Sequence, residues 1–261
     1  MTTEPISGWG IAAMYALLAV PFGVLLWARL PIVGQAVMAV ARMSVQLLFV
    51  GLYLQVVFRL NNPWLNLLWL AVMVIVADGS ILKGCGLRFR PLAGPLFVAL
   101  IVGTAFPLFY FMAFILRRDN LLDAQYAIPI GGMILGNCLR ADVIGIRTFF
   151  QSIRDGEKAY LQRLADGATP AEATRPYLAA ALHDAIAPTM ATVATMGLVS
   201  LPGMMTGVIL GGADPMTAIV YQIAIMIAIF SGTAITILLG IRLCRKAGFT
   251  SWGTLNPDVF R

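Results

Sequence analysis

The chain has 261 residues, of which 60% are hydrophobic and only 11% charged, with a net charge of +6 and a mean hydropathy of +0.87. A soluble domain of this size carries about a quarter charged residues, so the composition excludes an ordinary soluble enzyme and points to an all-α polytopic membrane protein with one membrane domain. The positive charge is not a basic tract interleaved with aromatics, which argues against nucleic acid as a partner and for basic loops on one side of a lipid bilayer.

The apolar runs come in order. Trp9–Leu26 is closed by Arg29 and Pro31. At about 1.5 Å per residue it reaches roughly 27 Å, enough to cross. Residues 1–8 lack the basic start of a secretory signal and contain Glu4, so this run is read as a span that is kept. Gly34–Phe58 follows and carries Arg42, Gln46 and Gln55; Trp64–Leu82 has Asp78 near its end, before Lys83, Arg88 and Arg90. Leu92–Leu116 contains Pro107, which predicts a kink. The fifth run begins near Tyr126 and gives way to charge at Arg140; the sixth, Ala185–Leu210, is interrupted by Pro188 and by Pro202-Gly203; the seventh is Met216–Leu243.

About seven transmembrane helices with an outside N-terminus put Arg29, Lys83, Arg88, Arg90, Arg140, Arg147, Arg154, Lys158, Arg163, Arg175, Arg242, Arg245, Lys246 and Arg261 inside. Only Arg59, Arg117 and Arg118 then lie outside, as the positive-inside rule requires. This makes residues 140–184, the one long charged stretch, a cytoplasmic coupling region and the C-terminus cytoplasmic.

Within that stretch Ile146, Phe149, Phe150, Ile153, Tyr160, Leu161 and Leu164 recur at three- and four-residue steps, which predicts that the fifth helix continues out of the bilayer as an amphipathic helix. It stops at Asp166-Gly167, where glycine suits a left-handed cap. Thr169-Pro170-Ala171-Glu172 then reads as a new start, with Thr169 as N-cap and Glu172 in capping-box spacing.

Asp166-Gly-Ala-Thr-Pro170, with Tyr177-Leu178 downstream, resembles the coupling loop of ABC-transporter permeases. A wider resemblance covers nearly the whole chain. Ile128-Pro-Ile-Gly-Gly-Met-Ile-Leu-Gly-Asn137, Gly167-Ala-Thr-Pro170, Gly197-Leu-Val-Ser-Leu-Pro-Gly-Met-Met-Thr-Gly207 and Asp214-Pro215 followed by Tyr221-Gln222 are similar to the Fet-type iron-export ABC permeases, a family that includes plant aluminium-tolerance permeases. The resemblance implies a permease subunit that pairs with a separate ABC ATPase subunit, works as a homodimer, and exports iron or another metal, or alternatively a nucleotide sugar or other metabolite. It implies an ATPase-coupling set of Asp166, Gly167, Ala168, Thr169, Pro170, Ala171, Glu172 and Arg175. One departure stands out. The family pattern places an Asp and a Lys three residues apart after the Pro-Thr of the sixth span, where this chain has Ala191 and Ala194.

Other residues are read from their own chemistry. Arg42 lies about two turns inside its span with Gln46 one turn on, and an intramembrane charge faces a cavity or a partner, or snorkels to the interface. Asp78 is its partner by charge, but near the end of its span it reads as a solvated helix terminus. Asn137, Cys138 and Asp142 line an inner vestibule or simply a soluble helix end. Pro202, Gly203, Met204 and Met205 combine a broken helix with soft thioethers, a pattern that suits a translocation path along with Arg42, Gln46 and Asn137. Gly132/Gly136 and Gly207/Gly211 have the spacing of close helix contacts.

His183 is the sole histidine and the three cysteines are scattered, so neither a metal-ligand set nor a catalytic pair is read, and no cofactor is expected. The chain has no Gly-x-x-x-x-Gly-Lys-Ser/Thr run, so ATP hydrolysis falls to another chain. A secondary transporter would place carboxylate relays deep in its spans, and the spans read as nearly free of them.

Overall fold

The structure is a computed structural model that describes residues 7–250, 252–256 and 259, with the side chains of residues 89–91 left aside. Glu4 and Arg261 of the charge reading, and the side chain of Arg90, therefore lie outside the described residues. The described residues are helical apart from turns and two isolated bridges, Met196 with Ser200 and Phe249 with Leu255.

In chain order the helices are α1 (Gly8–Ala16), α2 (Ala19–Trp27), α3 (Val33–Leu60), α4 (Pro63–Cys85), α5 (Phe89–Tyr110), α6 (Ala124–Asp155), α7 (Glu157–Ala165), α8 (Pro170–Thr195), α9 (Gly203–Leu210) and α10 (Pro215–Gly248). Six segments are long and apolar enough to cross a bilayer: Gly8–Trp27, Val33–Leu60, Pro63–Cys85, Leu92–Ile115, Ala124–Asp155 and Pro215–Gly248. The expected sixth run, Ala185–Leu210, is broken before Gly203 as expected, but Pro188 does not interrupt it and lies inside α8. α8 ends at Thr195, a turn follows with Gly197 at φ 86°, and α9 restarts at Gly203 after Pro202. Pro202, extended at φ −63° and ψ 142°, is the N-cap of α9, and with no N–H of its own to bond it marks where the helix restarts.

Pro107 acts in a similar way. It lies inside α5, and the chain passes directly into a π-helical turn at Phe111–Ile115. The missing donor loosens the ladder, and the extra residue per turn absorbs the mismatch.

α10 and α6 form the centre of the molecule, packed on each other and on α5, α8 and α4. Their core runs from Ile130, Ile134 and Leu100 to Phe149, Phe150 and Tyr160. The tightest crossing joins α5 to α10. A Cβ built on Gly103 would strike Thr236 Cγ2, and one built on Gly232 would lie 2.7 Å from the Gly103 carbonyl oxygen. The glycine pairs singled out by spacing are looser: Gly136 and Gly207 meet nothing within 4 Å, while Gly132 meets only the end of Met73, at 3.0 Å.

α3 joins this bundle only near its own C-terminal end. Val57 is buried against Ala124 and Ile128 of α6, and the Tyr53 ring stacks on Trp69 with centroids 4.2 Å apart. The backbone N–H of Ala124 donates to Asn61 Oδ1 at 3.0 Å, and Asn66 Nδ2 donates to the Leu122 carbonyl at 2.7 Å, pinning the ends of α3 and α4 to the start of α6.

Candidate functional site: a capped elbow and a buried polar seam

The charged stretch folds into an elbow. The amphipathic helix expected to run to Asp166 is interrupted once, at Gly156, where α6 gives way to α7. A Cβ on Gly156 would sit 3.1 Å from the Ser152 carbonyl and 3.3 Å from the Tyr177 hydroxyl, so the bend brings α7 against α8. α7 then ends at Ala165, and Gly167 takes φ 93°, a left-handed conformation that glycine adopts without a Cβ clash.

The start of α8 is built as its residues dictate. Thr169 Oγ1 accepts from the Glu172 N–H at 3.3 Å, while Glu172 Oε2 accepts from the Thr169 N–H at 2.8 Å and from its hydroxyl at 2.7 Å. Those donors hold the Glu172 carboxyl below the usual carboxylate range. Pro170 occupies the first turn, where its missing N–H costs nothing. The expected coupling residues Asp166, Gly167, Ala168, Thr169, Pro170, Ala171, Glu172 and Arg175 thus come together on this α7–α8 elbow.

A segment that its sequence marks only as short and polar holds the elbow to the bundle. After α10 the chain turns back on itself, with Thr250 N–H donating to the Thr254 carbonyl at 2.8 Å. The Tyr160 hydroxyl of α7, which burial pushes above its ordinary pKa and so keeps protonated, donates to the Gly253 carbonyl at 2.6 Å. A Cβ on Gly253 would lie 3.3 Å from Pro170 and 3.5 Å from Leu164, and Arg245 donates to Thr174 Oγ1 at 3.2 Å. Phe249 closes an aromatic cluster with Phe150, Phe149 and Tyr160.

Above the elbow runs a seam of buried polar groups. Asp142 is fully buried, and neither of its carboxyl oxygens has a hydrogen-bond partner among the described residues; Asp78, 5% exposed, has Oδ1 in the same condition. The expectation that Asp78 is a solvated helix terminus is therefore corrected: α4 packs along α6 and carries it into the bundle. Asp142 and Cys138 belong to that interior too, not to a vestibule or a solvated helix end, because they share the inward stripe of α6 with Ile134 and Leu135. Thr233 Oγ1, Thr104 Oγ1 and Gln222 Oε1 are also buried with no hydrogen-bond partner among the described residues, and all three cysteines are free and buried. Among the described residues no three His, Cys, Asp or Glu side chains are grouped as a metal-ligand set.

The residues expected along a translocation path lie on three elements. Arg42 and Gln46 are exposed on α3, with no partner for Arg42 among the described residues, so Arg42 is not paired with Asp78. Asn137, half-buried on α6, donates to the Met133 carbonyl at 2.8 Å and accepts from Arg140 at 3.3 Å. Pro202, Gly203, Met204 and Met205 form the start of α9, where Met205 is buried and Met204 packs on the main core. His183 is exposed beside Asp184, 3.2 Å away.

Sequence reasoning missed the C-terminal turn, Thr233, Thr236 and Gln222, and the Asn61–Ala124 pin. Asn61-Asn62-Pro63 carried a visible turn signal; the other residues become legible only when α10 is placed against α6.

Comparisons with known proteins come down on the same side as this architecture. Residues 9–249 match the family described as "Uncharacterised protein family (UPF0014)". The chain is 37% identical over 222 residues to the UPF0014 membrane protein slr1647 of Synechocystis sp., covering 85% of this chain and 84% of that one. It is 32% identical over 236 residues to Protein ALUMINUM SENSITIVE 3 of Arabidopsis thaliana, covering 89% and 84% of the two chains. To the probable iron export permease protein FetB of Escherichia coli it is 29% identical over 213 residues, covering 82% and 81%. No solved structure matches. A helical chain with six segments fit to cross a bilayer, matched along nearly all its length, belongs to the UPF0014 family of membrane proteins.

Proposed function

We propose that the chain is the membrane-spanning subunit of an ATP-driven ABC exporter in the bacterial inner membrane, acting as a pair of copies with a separate ATP-hydrolysing subunit. Its N-terminus lies outside and its elbow and C-terminus in the cytoplasm, following the distribution of basic residues. The observation that carries the reading is the α7–α8 elbow. It is a doubly capped, water-compatible corner rooted in two bundle helices, α6 and α8, so a push on it moves both. Asp166, Gly167, Ala168, Thr169, Pro170, Ala171, Glu172 and Arg175 receive that push. Arg42, Gln46, Asn137 and the Pro202–Met205 break belong to the path that opens in response. The first cargo is iron or another metal, by likeness to the protein named a probable iron export permease.

The test is made on the elbow. Ala171→Arg, or deletion of Thr169–Arg175, abolishes stimulation of the partner ATPase while the chain still inserts into the membrane. Unaltered stimulation in both variants would remove the elbow from the mechanism.

A second cargo reading rests on where the charges lie. Asp78, Asp142 and the cysteines of the spans are buried inside the bundle, whereas Arg42, Gln46 and Arg140 are exposed on α3 and α6. Guanidinium groups bind phosphate or carboxylate and repel a bare metal ion. This favours an anionic metabolite, or a metal carried inside an anionic complex. Transport into vesicles reconstituted with the ATPase, comparing divalent metals with sugar nucleotides, decides between the two cargoes.

A further inference from the structure

Trp252 is 87% exposed, although it belongs to one of the best-anchored turns in the molecule. Its neighbour Gly253 is fixed by the 2.6 Å bond from Tyr160 and takes φ 78°, and the turn is closed again by the 2.7 Å contact between the Thr250 and Thr254 hydroxyls. The base of the turn, Phe249, lies against Phe150 and Tyr160, and a Cβ added to Gly253 would meet Pro170, the first residue of α8. A ring carried on an anchored backbone costs a partner little backbone ordering on docking, and tryptophan is among the residue types most enriched in the energetic anchors of protein interfaces.

Lipid is the other surface that takes exposed tryptophan, and distance decides against it. α8 runs antiparallel to α6, with Ala185 and Ala181 against Gly145 at the level where charge returns to the chain. Pro170 lies 14 residues before Asp184, so at about 1.5 Å per residue it is roughly 21 Å farther from the bilayer. The headgroup layer beyond the hydrocarbon core is only about 5–8 Å deep on each side. Trp252, next to Gly253 and so beside Pro170, then lies beyond the headgroup layer if the bilayer begins at Asp184 as the charge pattern predicts.

We infer that Trp252 is a second docking point for the ATP-hydrolysing subunit, beside the α7–α8 elbow. This rests on the exporter reading above and deepens it. The elbow is continuous with α8, whereas the turn bearing Trp252 is continuous with α10, the central helix of the bundle. A partner gripping both engages α8 and α10 together, with the Arg245–Thr174 bond tying the two helices and the Tyr160–Gly253 bond tying the turn to α7.

The experiment uses the full chain co-expressed with a candidate ABC ATPase subunit and purified by a tag on the chain. The amount of that subunit retained is measured for Trp252→Ala, Trp252→Phe and the Thr169–Arg175 deletion. Trp252→Ala lowers retention by about tenfold or more, as loss of an anchor does, and Trp252→Phe keeps most of it. Because the side chain is solvent-exposed, the thermal unfolding temperature of Trp252→Ala stays at the wild-type value, which separates lost docking from lost folding. If the deletion releases the subunit and Trp252→Ala does not, this inference is overturned and the exporter reading stands. If neither variant releases it, both fall. Quenching of Trp252 fluorescence by brominated lipid, scored as the signal lost in Trp252→Phe, would place the ring in the membrane and overturn the docking role as well.

Discussion

The first three helices and the bundle that follows them have nearly the same hydropathy but opposite surroundings. The spans Gly8–Trp27 and Val33–Leu60 average 2.0 and 1.8 on the hydropathy scale, and none of their apolar windows is buried by protein; Leu92–Ile115 and Pro215–Gly248 average 2.2 and 2.3, and 44% of each is buried. Hydropathy thus tells a helix to leave water and says nothing of whether lipid or another helix will cover it. In a bilayer that choice is made by close backbone approach, because lipid tails are as apolar as leucine. Glycines show the difference. Gly23, Gly34 and Gly51 in α2 and α3 meet nothing within 4 Å, whereas Gly103, Gly145, Gly232 and Gly248 sit where a Cβ would press on a neighbouring helix.

The strongest way to break this comparison is to add side chains at both kinds of glycine. Gly232→Val forces apart α5 and α10, since even its Cβ would approach the Gly103 carbonyl oxygen to 2.7 Å and Ile134 to 2.9 Å. Backbone cannot yield as a flexible side chain can, so we expect the upper end of the overpacking range, about 3 kcal/mol or more, and loss of monodisperse protein in detergent. Gly51→Ala in α3 meets open space and gains helix propensity of about 0.5–1 kcal/mol relative to glycine. Equal losses at the two sites, measured by thermal unfolding, would show that α3 is packed as closely as α10.

The same contrast separates what the sequence made legible from what it concealed. Six of the seven apolar runs, the Pro202 break and the Thr169–Glu172 box depend on residues within a few positions of one another and stand where local chemistry puts them; the run from Ala185 to Leu210 does not qualify as a span by itself, and Pro188 does not break it. The burial of Asp78 and Asp142 depends on the angle at which α4, α6 and α10 meet, and no single helix carries that information. The glycine spacing rule fails for a related reason. Gly103 and Gly232 lie on different helices and belong to no four-residue repeat, so only the crossing pairs them. The C-terminal turn looks polar and short, yet its role comes from the carbonyl of Gly253 and the backbone beside it, groups that every sequence contains.

A smaller effect tests how firmly each region is tied by polar contacts. Tyr160→Phe leaves the buried Gly253 carbonyl without its donor, at a cost of about 1–3 kcal/mol, and frees the turn from α7. The matching change in the N-terminal region, Tyr15→Phe, removes a 2.7 Å bond to Ser44 that is exposed on the surface of α1 and α3. Interhelical bonds of this kind average about 0.6 kcal/mol in membrane proteins. Proteolysis near residue 252 together with unfolding temperatures reads both variants. A larger loss from Tyr15→Phe than from Tyr160→Phe would invert the ranking of the two regions.

The smallest effect is confined to the elbow and is set by pH. Glu172 is more acidic in the folded chain than in an unfolded one because the Thr169 hydroxyl and N–H stabilise its carboxylate. A depressed folded value means that the unfolded chain binds a proton first as pH falls. The capping box therefore contributes fully above the ordinary Glu range, near 4.5, and loses its contribution as pH drops through the lower folded value. Glu172 is wholly exposed, so solvent screens the gain and the readout must be local. Protection of the Ala171–Ala173 amides, taken relative to their intrinsic exchange rates, falls on acidification in the wild-type chain, and Glu172→Gln removes that dependence. Thr169→Ala loses the cap at every pH, at about 0.5–2 kcal/mol of helix stability. Protection at the start of α3, where Ile32 offers no side-chain cap, stays flat over the same range. An elbow as indifferent to acid as α3 would mean that its reciprocal hydrogen bonds do not hold the corner in solution.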